Sequence, residues 1–160
     1  MAAISTSIQT MSRELHSSHL EHLGMIAAIK SFCKEFGERQ RVEINFESHD
    51  VPTCLAPELS LCLFRVLQEA LHNAAKHSGA RHFAVHLWGD SGEIHLTVCD
   101  QGRGFDTAAA AKGGGLGLTS MQERLRLVNG ELSIDSQVQY GTTIHARAPF
   151  EPADSAQAVG

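Results

Sequence analysis

Three short stretches of this sequence carry side chains that could act together on a ligand. Glu69, Asn73 and then Lys76 or His77 are spaced i, i+4 and i+7 or i+8, which on a helix puts them in one polar stripe. A carboxylate, a carboxamide and a cation there can converge on one ligand; the same spacing also describes a solvated helix face. Asp100-Gln101-Gly102-Arg103-Gly104-Phe105 follows a run of alternating residues. A carboxylate then stands at a strand end, and Gly102 and Gly104 let backbone lie close to a ligand. An ordinary turn with a capping Asp has this composition too. Gly113-Gly114-Gly115-Leu116-Gly117-Leu118 leads into helical spacing. Unpaired N–H groups and the positive end of a helix dipole suit phosphate oxygens, while a flexible linker asks for no more than the glycines.

These residues need elements to position them. Residues 58–77 contain no Gly or Pro and bring Leu59, Leu63, Val66, Leu67, Ala70 and Ala74 onto one face, which predicts a central helix bearing the stripe beside its apolar face. Residues 82–88 and 93–99 alternate on either side of Gly89-Asp90-Ser91-Gly92, a hairpin whose glycines would supply the turn torsions and whose second strand delivers Asp100. Helical spacing resumes over 118–128 and stops at Asn129-Gly130. Leu132 and Ile134, then Ile144, Ala146 and Ala148 beyond Tyr140-Gly141, alternate as a second hairpin. Upstream, residues 4–36 hold no proline and only Gly24, and read as one long helix; 37–41 form a charged linker, and 42–47 alternate as a half-buried strand. One apolar sheet face with helices to cover it predicts an α/β (α+β) two-layer sandwich. Its sheet is mixed and largely antiparallel, covered on one face, and a long N-terminal helix precedes it.

Composition narrows what the ligand can be. The 160 residues are one domain's worth, with 42% hydrophobic and 19% charged residues, ordinary for a globular fold. A net charge of −5 disfavours nucleic acid and anionic membrane as partners. The longest mainly apolar stretch, 59–67, already contains Arg65 and is far short of the roughly 20 residues that span a bilayer. The first residues lack a basic start and a long apolar block, so the expected location is cytoplasmic, with any membrane anchor of a longer protein left open. Cys33, Cys54, Cys62 and Cys99 form no C-x-x-C pair and read as buried reduced thiols. His16, His19 and His22 cover too broad an arc for one metal ion, and no acidic fourth ligand is dictated. No Gly-Lys-Ser/Thr follows the glycines and no G-x-G-x-x-G joins a first strand to a first helix, which excludes Walker and Rossmann sites.

A helix with Glu-x-x-x-Asn, a strand ending in Asp-x-Gly-x-Gly and a Gly-rich run before a second helix, in that order, resemble the Bergerat-type ATP-binding fold of DNA gyrase, Hsp90, histidine kinases and MutL. The resemblance covers roughly residues 58–149. Phe64-Arg65-Val66-Leu67-Gln68-Glu69-Ala70-Leu71-His72-Asn73-Ala74-Ala75-Lys76-His77 is similar to the nitrate-sensor type of bacterial sensor histidine kinase, as is Gly115-Leu116-Gly117-Leu118 running into Met121-Gln122-Glu123-Arg124. Glu14-Leu15-His16, with Leu20, Leu23-Gly24-Met25 and Ala27-Ala28-Ile29, resembles the second arm of that family's dimerisation and phosphoacceptor hairpin, although Ser17 stands where proline usually follows the histidine. The division this implies is 1–38 as that arm, 39–150 as the catalytic ATP-binding domain and 151–160 as a disordered tail.

The resemblance implies ATP with Mg²⁺, the Asn73 oxygen being the one protein ligand to the metal. Asp100 would accept a hydrogen bond from the adenine amino group. Gly102, Gly104, Gly115 and Gly117 would border a lid over 107–115, mobile without nucleotide, with N–H groups near Gly115, Leu116, Gly117 and Leu118 on phosphate oxygens. Lys76 and His77 would add charge, and Thr142 would act near adenine through water. Glu69 would be the catalytic base or polarising group for an incoming histidine, which belongs to the dimerisation hairpin, and phosphate would pass on to a response regulator. On this reading the chain is the catalytic fragment of an ATP-dependent protein-histidine kinase, in two-component signal transduction. It does not autophosphorylate alone, and His16 is structural or solvent-exposed. An anti-sigma-factor type serine kinase and a non-catalytic ATP-binding switch module are the alternatives.

Overall fold

The computed structural model describes residues 24–52, 55–102 and 118–150. Helix α1, over residues 24–40, continues through Gly37 and the charged residues expected as a linker, because Glu38, Arg39 and Gln40 are good helix formers. It ends where Arg41 takes φ 57° and the Val42 N–H donates back to the Gly37 carbonyl at 3.0 Å. Strand β1 (Glu43–His49) follows, then α2 (Pro57–Asn73), which starts with proline in its first turn and Glu58 beside the positive end of its dipole.

The central helix does not run evenly to His77. After Asn73 the chain widens into a π-helical turn, Ala74–Ser78. The Ser78 hydroxyl donates to the Ala74 carbonyl at 2.5 Å and accepts the Ala80 N–H at 3.0 Å, so a side chain supplies part of the closing hydrogen bonding. Gly79, at φ 74°, turns the backbone out of the helix.

β2 (His82–Asp90) and β3 (Glu93–Asp100) form the first hairpin. Its positive-φ positions are Ser91 (52°) and Gly92 (81°). Gly89 instead lies within β2, where a Cβ would fall 2.4 Å from the Asp50 carbonyl oxygen. Helix α3 (Leu118–Arg126) closes with the Gly130 N–H on the Leu125 carbonyl at 2.7 Å and the Asn129 N–H on Arg126 at 3.1 Å, Asn129 being left-handed. β4 (Glu131–Gln137) and β5 (Gly141–Pro149) complete a five-stranded sheet of order β1-β2-β3-β5-β4. β1 and β2 are parallel, joined by the α2 crossover, and the other pairings are antiparallel. The mixed two-layer sandwich expected from the alternation is the observed architecture.

Phe83, Val85 and Leu87 of β2, Ile94, Leu96 and Val98 of β3, and Ile144, Ala146 and Ala148 of β5 line the covered sheet face. Against it lie Leu63, Val66, Leu67 and Leu71 of α2 with Met121 and Leu125 of α3. Helix α1 shares this core through Ile29 and through Phe32, whose ring meets Phe64 edge-on at 5.5 Å. Burial pushes the Cys33 thiol up to about 12 and the Cys62 thiol to about 11, the latter eased by Arg124, so both are inert apolar fillers.

The opposite sheet face is open and rich in imidazole. His95 Nδ1 and His145 Nε2 approach to 2.9 Å across β3 and β5. Trp88 lies parallel to both rings, within 6° of His95 and 19° of His145, and His49 continues the row. His16, His19 and His22, the 107–115 lid, the 151–160 tail and most of the 4–36 helix lie outside the described residues.

Candidate functional site

Where α2 loosens into its π turn, it stands over the ends of β3 and β5. Between them is a cavity of about 250 Å³. The helical wall is Ala70, Asn73, Ala74, His77 and Ser78; the sheet contributes Val98, Asp100, Thr142 and Ile144; Leu118 opens α3 at the rim. Small and apolar side chains form most of this surface, with Asn73, His77, Asp100 and Thr142 as its longer polar points. That is the composition of a pocket for a flat, largely apolar ring with a few fixed polar groups.

Asp100 is the last residue of β3 and is 9% exposed. Its carboxylate accepts the Gly102 N–H at 2.9 Å and also the backbone N–H of Thr142, its partner across β5. Burial raises its pKa, and the two N–H donors pull it back without cancelling the rise. The side chain is thus oriented by backbone and poorly hydrated, and it gains from a donor that arrives with a ligand.

Two glycines make this closeness possible. A Cβ on Gly102 would lie 2.3 Å from the Ser78 carbonyl oxygen, and one on Gly141, at φ 100°, 2.2 Å from the Asp100 carbonyl oxygen. Gly102 therefore seats the end of the π turn against the chain leaving β3, and Gly141 seats β5 against Asp100.

The match to the family described as histidine kinase-, DNA gyrase B- and HSP90-like ATPase covers residues 59–152, the stretch that carries every wall of this cavity. The chain belongs to this family. The sensor histidine kinase MctS of Rhizobium johnstonii is 39% identical over 144 residues, spanning 89% of this chain and 31% of that protein. The oxygen sensor histidine kinase NreB of Staphylococcus carnosus is 35% identical over 150 residues, spanning 94% of this chain and 43% of that protein. The chain thus spans less than half the length of either relative. Among solved structures, full-length ShkA in complex with AMPPNP has the same fold, with a TM-score of 0.66 at 20% identity, over 88% of this chain and 35% of that one.

Within this ATPase domain the expected site residues separate. Asn73, His77, Asp100, Leu118 and Thr142 come together on the cavity. Gly102 lies beside it through its bond to Asp100. Glu69 is half-buried on α2 and Lys76 is exposed on the π turn, and neither is part of the cavity lining. Gly104, Gly115, Leu116 and Gly117 lie outside the described residues. Sequence reasoning missed Ser78, Ala70 and Ala74 as walls and Gly141 as a contact. Gly79 is a signal that could have marked the helix stop, but nothing local announces that the Ser78 hydroxyl bonds back to the Ala74 carbonyl. No helix among the described residues is long and apolar enough to cross a membrane.

Proposed function

We propose that this domain binds Mg²⁺-ATP in the cavity and presents the γ-phosphate to a histidine on the dimerisation hairpin of a sensor histidine kinase, from which a response regulator receives it. The observation that carries the reading is Asp100, a buried carboxylate at a strand end, held by two backbone donors and facing a ring-sized space. Adenine offers an amino group where guanine has an oxygen, so a fixed acceptor favours adenine.

The other residues take roles from their positions. Asn73 offers a carboxamide oxygen at the cavity wall, a hard ligand suited to Mg²⁺. One protein oxygen leaves the rest of an octahedral Mg²⁺ shell to phosphates and waters. When bound, Mg²⁺ neutralises phosphate charge and orients the γ-group. Leu118, first residue of α3 and part of the cavity wall, stands where N–H groups of a helix start can meet phosphate oxygens; the resemblance gives Gly115, Leu116 and Gly117 the same role. Lys76, exposed on the π turn, adds positive charge beside His77, which offers an imidazole on the cavity wall. Glu69, one helical turn before Asn73, is assigned to the incoming histidine as base or polarising group; its place off the cavity wall suits a group that meets a protein acceptor and not the nucleotide. The ShkA complex with AMPPNP supports the nucleotide class, and MctS and NreB, named as sensor histidine kinases, support the signalling context.

Calorimetry tests the binding half of this reading. Mg²⁺-ATP is expected to bind and Mg²⁺-GTP to bind far more weakly. Asn73→Ala is expected to weaken ATP binding about tenfold or more in Mg²⁺, the loss of an ion–dipole contact of roughly 1.5–3 kcal/mol, and to change nothing in excess EDTA. Equal binding of ATP and GTP overturns the adenine role, and an Asn73→Ala deficit that persists without Mg²⁺ overturns the ligand role. Transfer of label from γ-labelled ATP to a supplied histidine-bearing hairpin tests the catalytic half. Nucleotide binding with no transfer would make the domain a non-catalytic switch.

A further inference from the structure

Ser136 does not line the cavity, yet it sits on β4 directly opposite Thr142, which does. Its hydroxyl lies 3.2 Å from the Gly141 carbonyl oxygen and 2.7 Å from the Thr142 hydroxyl. A serine hydroxyl has one proton, and a carbonyl can only accept. With both bonds made, Ser136 gives its proton to Gly141, so the proton in the shorter bond comes from Thr142. The Thr142 hydroxyl is left with lone pairs and no proton to offer.

This gives the sheet end of the cavity a single polarity. Asp100 accepts, Thr142 accepts, and the backbone N–H groups of Gly102 and Thr142 are turned onto Asp100. We infer that Ser136 is a specificity-positioning residue: by taking the Thr142 proton it makes Thr142 an acceptor, so that the cavity favours a purine bearing an amino group at C6 over one bearing an oxygen. The inference rests on the nucleotide reading above and adds to it a residue that does not touch the nucleotide. The same polarity holds if a water stands between Thr142 and the base, since that water must then donate to Thr142.

Calorimetry of Mg²⁺-ATP against Mg²⁺-ITP, whose hypoxanthine carries oxygen at C6, reads this directly. The wild-type chain is expected to prefer ATP. Ser136→Ala frees the Thr142 proton to turn towards the C6 oxygen, and the ATP-to-ITP preference is expected to fall about three- to tenfold, the worth of roughly one neutral hydrogen bond. In a Thr142→Val background the same Ser136→Ala change is expected to leave the preference where it is, because the group through which it acts has gone. Ser136→Cys, close in shape and a weak donor, carries the same test if the alanine variant melts early. A folded Ser136→Ala chain with the wild-type preference overturns the relay, as does an effect that persists without the Thr142 hydroxyl. A wild-type chain that binds neither nucleotide overturns the nucleotide reading itself.

Discussion

Asp100→Asn is expected to weaken ATP binding about ten- to hundredfold, the cost of losing a charged hydrogen-bond acceptor worth roughly 1.5–3 kcal/mol, while the fold stands. The carboxylate serves two backbone donors, Gly102 N–H and Thr142 N–H, and has oxygen lone pairs left for a ligand. An amide has one oxygen and one NH₂ group. If the oxygen keeps the backbone donors, the NH₂ faces the adenine amino group; if it faces the ligand, the NH₂ meets a backbone N–H. Either orientation opposes two donors. Stability moves the other way. Because burial raises the Asp100 pKa in the folded chain, folding favours the protonated form, and wild-type stability falls as pH rises from the ordinary carboxylate value through the raised one. The variant carries no charge to desolvate and is expected to lack that fall, melting at neutral pH no lower than wild type. Thermal melts against pH check the sign, and a variant that melts well below wild type at pH 7 would show that the charge stabilises the fold.

Gly141→Ala is expected to cost about 2–4 kcal/mol of stability, combining overpacking with a left-handed backbone that L-residues resist. The new Cβ would stand 2.2 Å from the Asp100 carbonyl oxygen at φ 100°, and no flexible side chain is there to yield. Relief has to come from β5 moving away from β3, which carries Thr142 off Asp100 and opens the carboxylate to water. Urea unfolding measures the first effect and ATP calorimetry the second; both are expected together. Full stability in this variant would mean that the two strand ends adjust without strain.

The sequence carried the periodic parts of this fold well. Leu59, Leu63, Val66, Leu67, Ala70 and Ala74 mark one helix face by spacing alone, and all are buried. Asp100 was legible as a strand-end carboxylate just before Gly102, and Thr142 only through the family resemblance; they are cross-strand partners. What stayed hidden depends on contacts between distant residues. The π turn carries a Ser78 hydroxyl bonded back to Ala74, and no helix propensity separates Ala74 from Ala70. Gly102 read as freedom near a ligand and Gly141 as part of a hairpin, whereas their missing Cβ atoms make room for Ser78 and Asp100. Ser136 became visible only through the β4–β5 register, which a single strand's pattern does not state.

Trp88 is the sequence's one tryptophan, and its parallel contact with His95 and His145 makes the indole a built-in optical probe of the open sheet face. A protonated imidazole against indole accepts an excited electron and quenches emission, so fluorescence should dim as acid protonates His145, which lies 2.9 Å from His95. His145 is held below the ordinary imidazole value by burial first, then by His95 and Arg147, with Glu93 opposing, which displaces its part of the dimming to lower pH. The emission originates on the face turned away from the cavity. A nucleotide-dependent change in Trp88 intensity at constant pH would therefore mean that occupation of the site is transmitted through the β3–β5 ladder to the far side of the sheet.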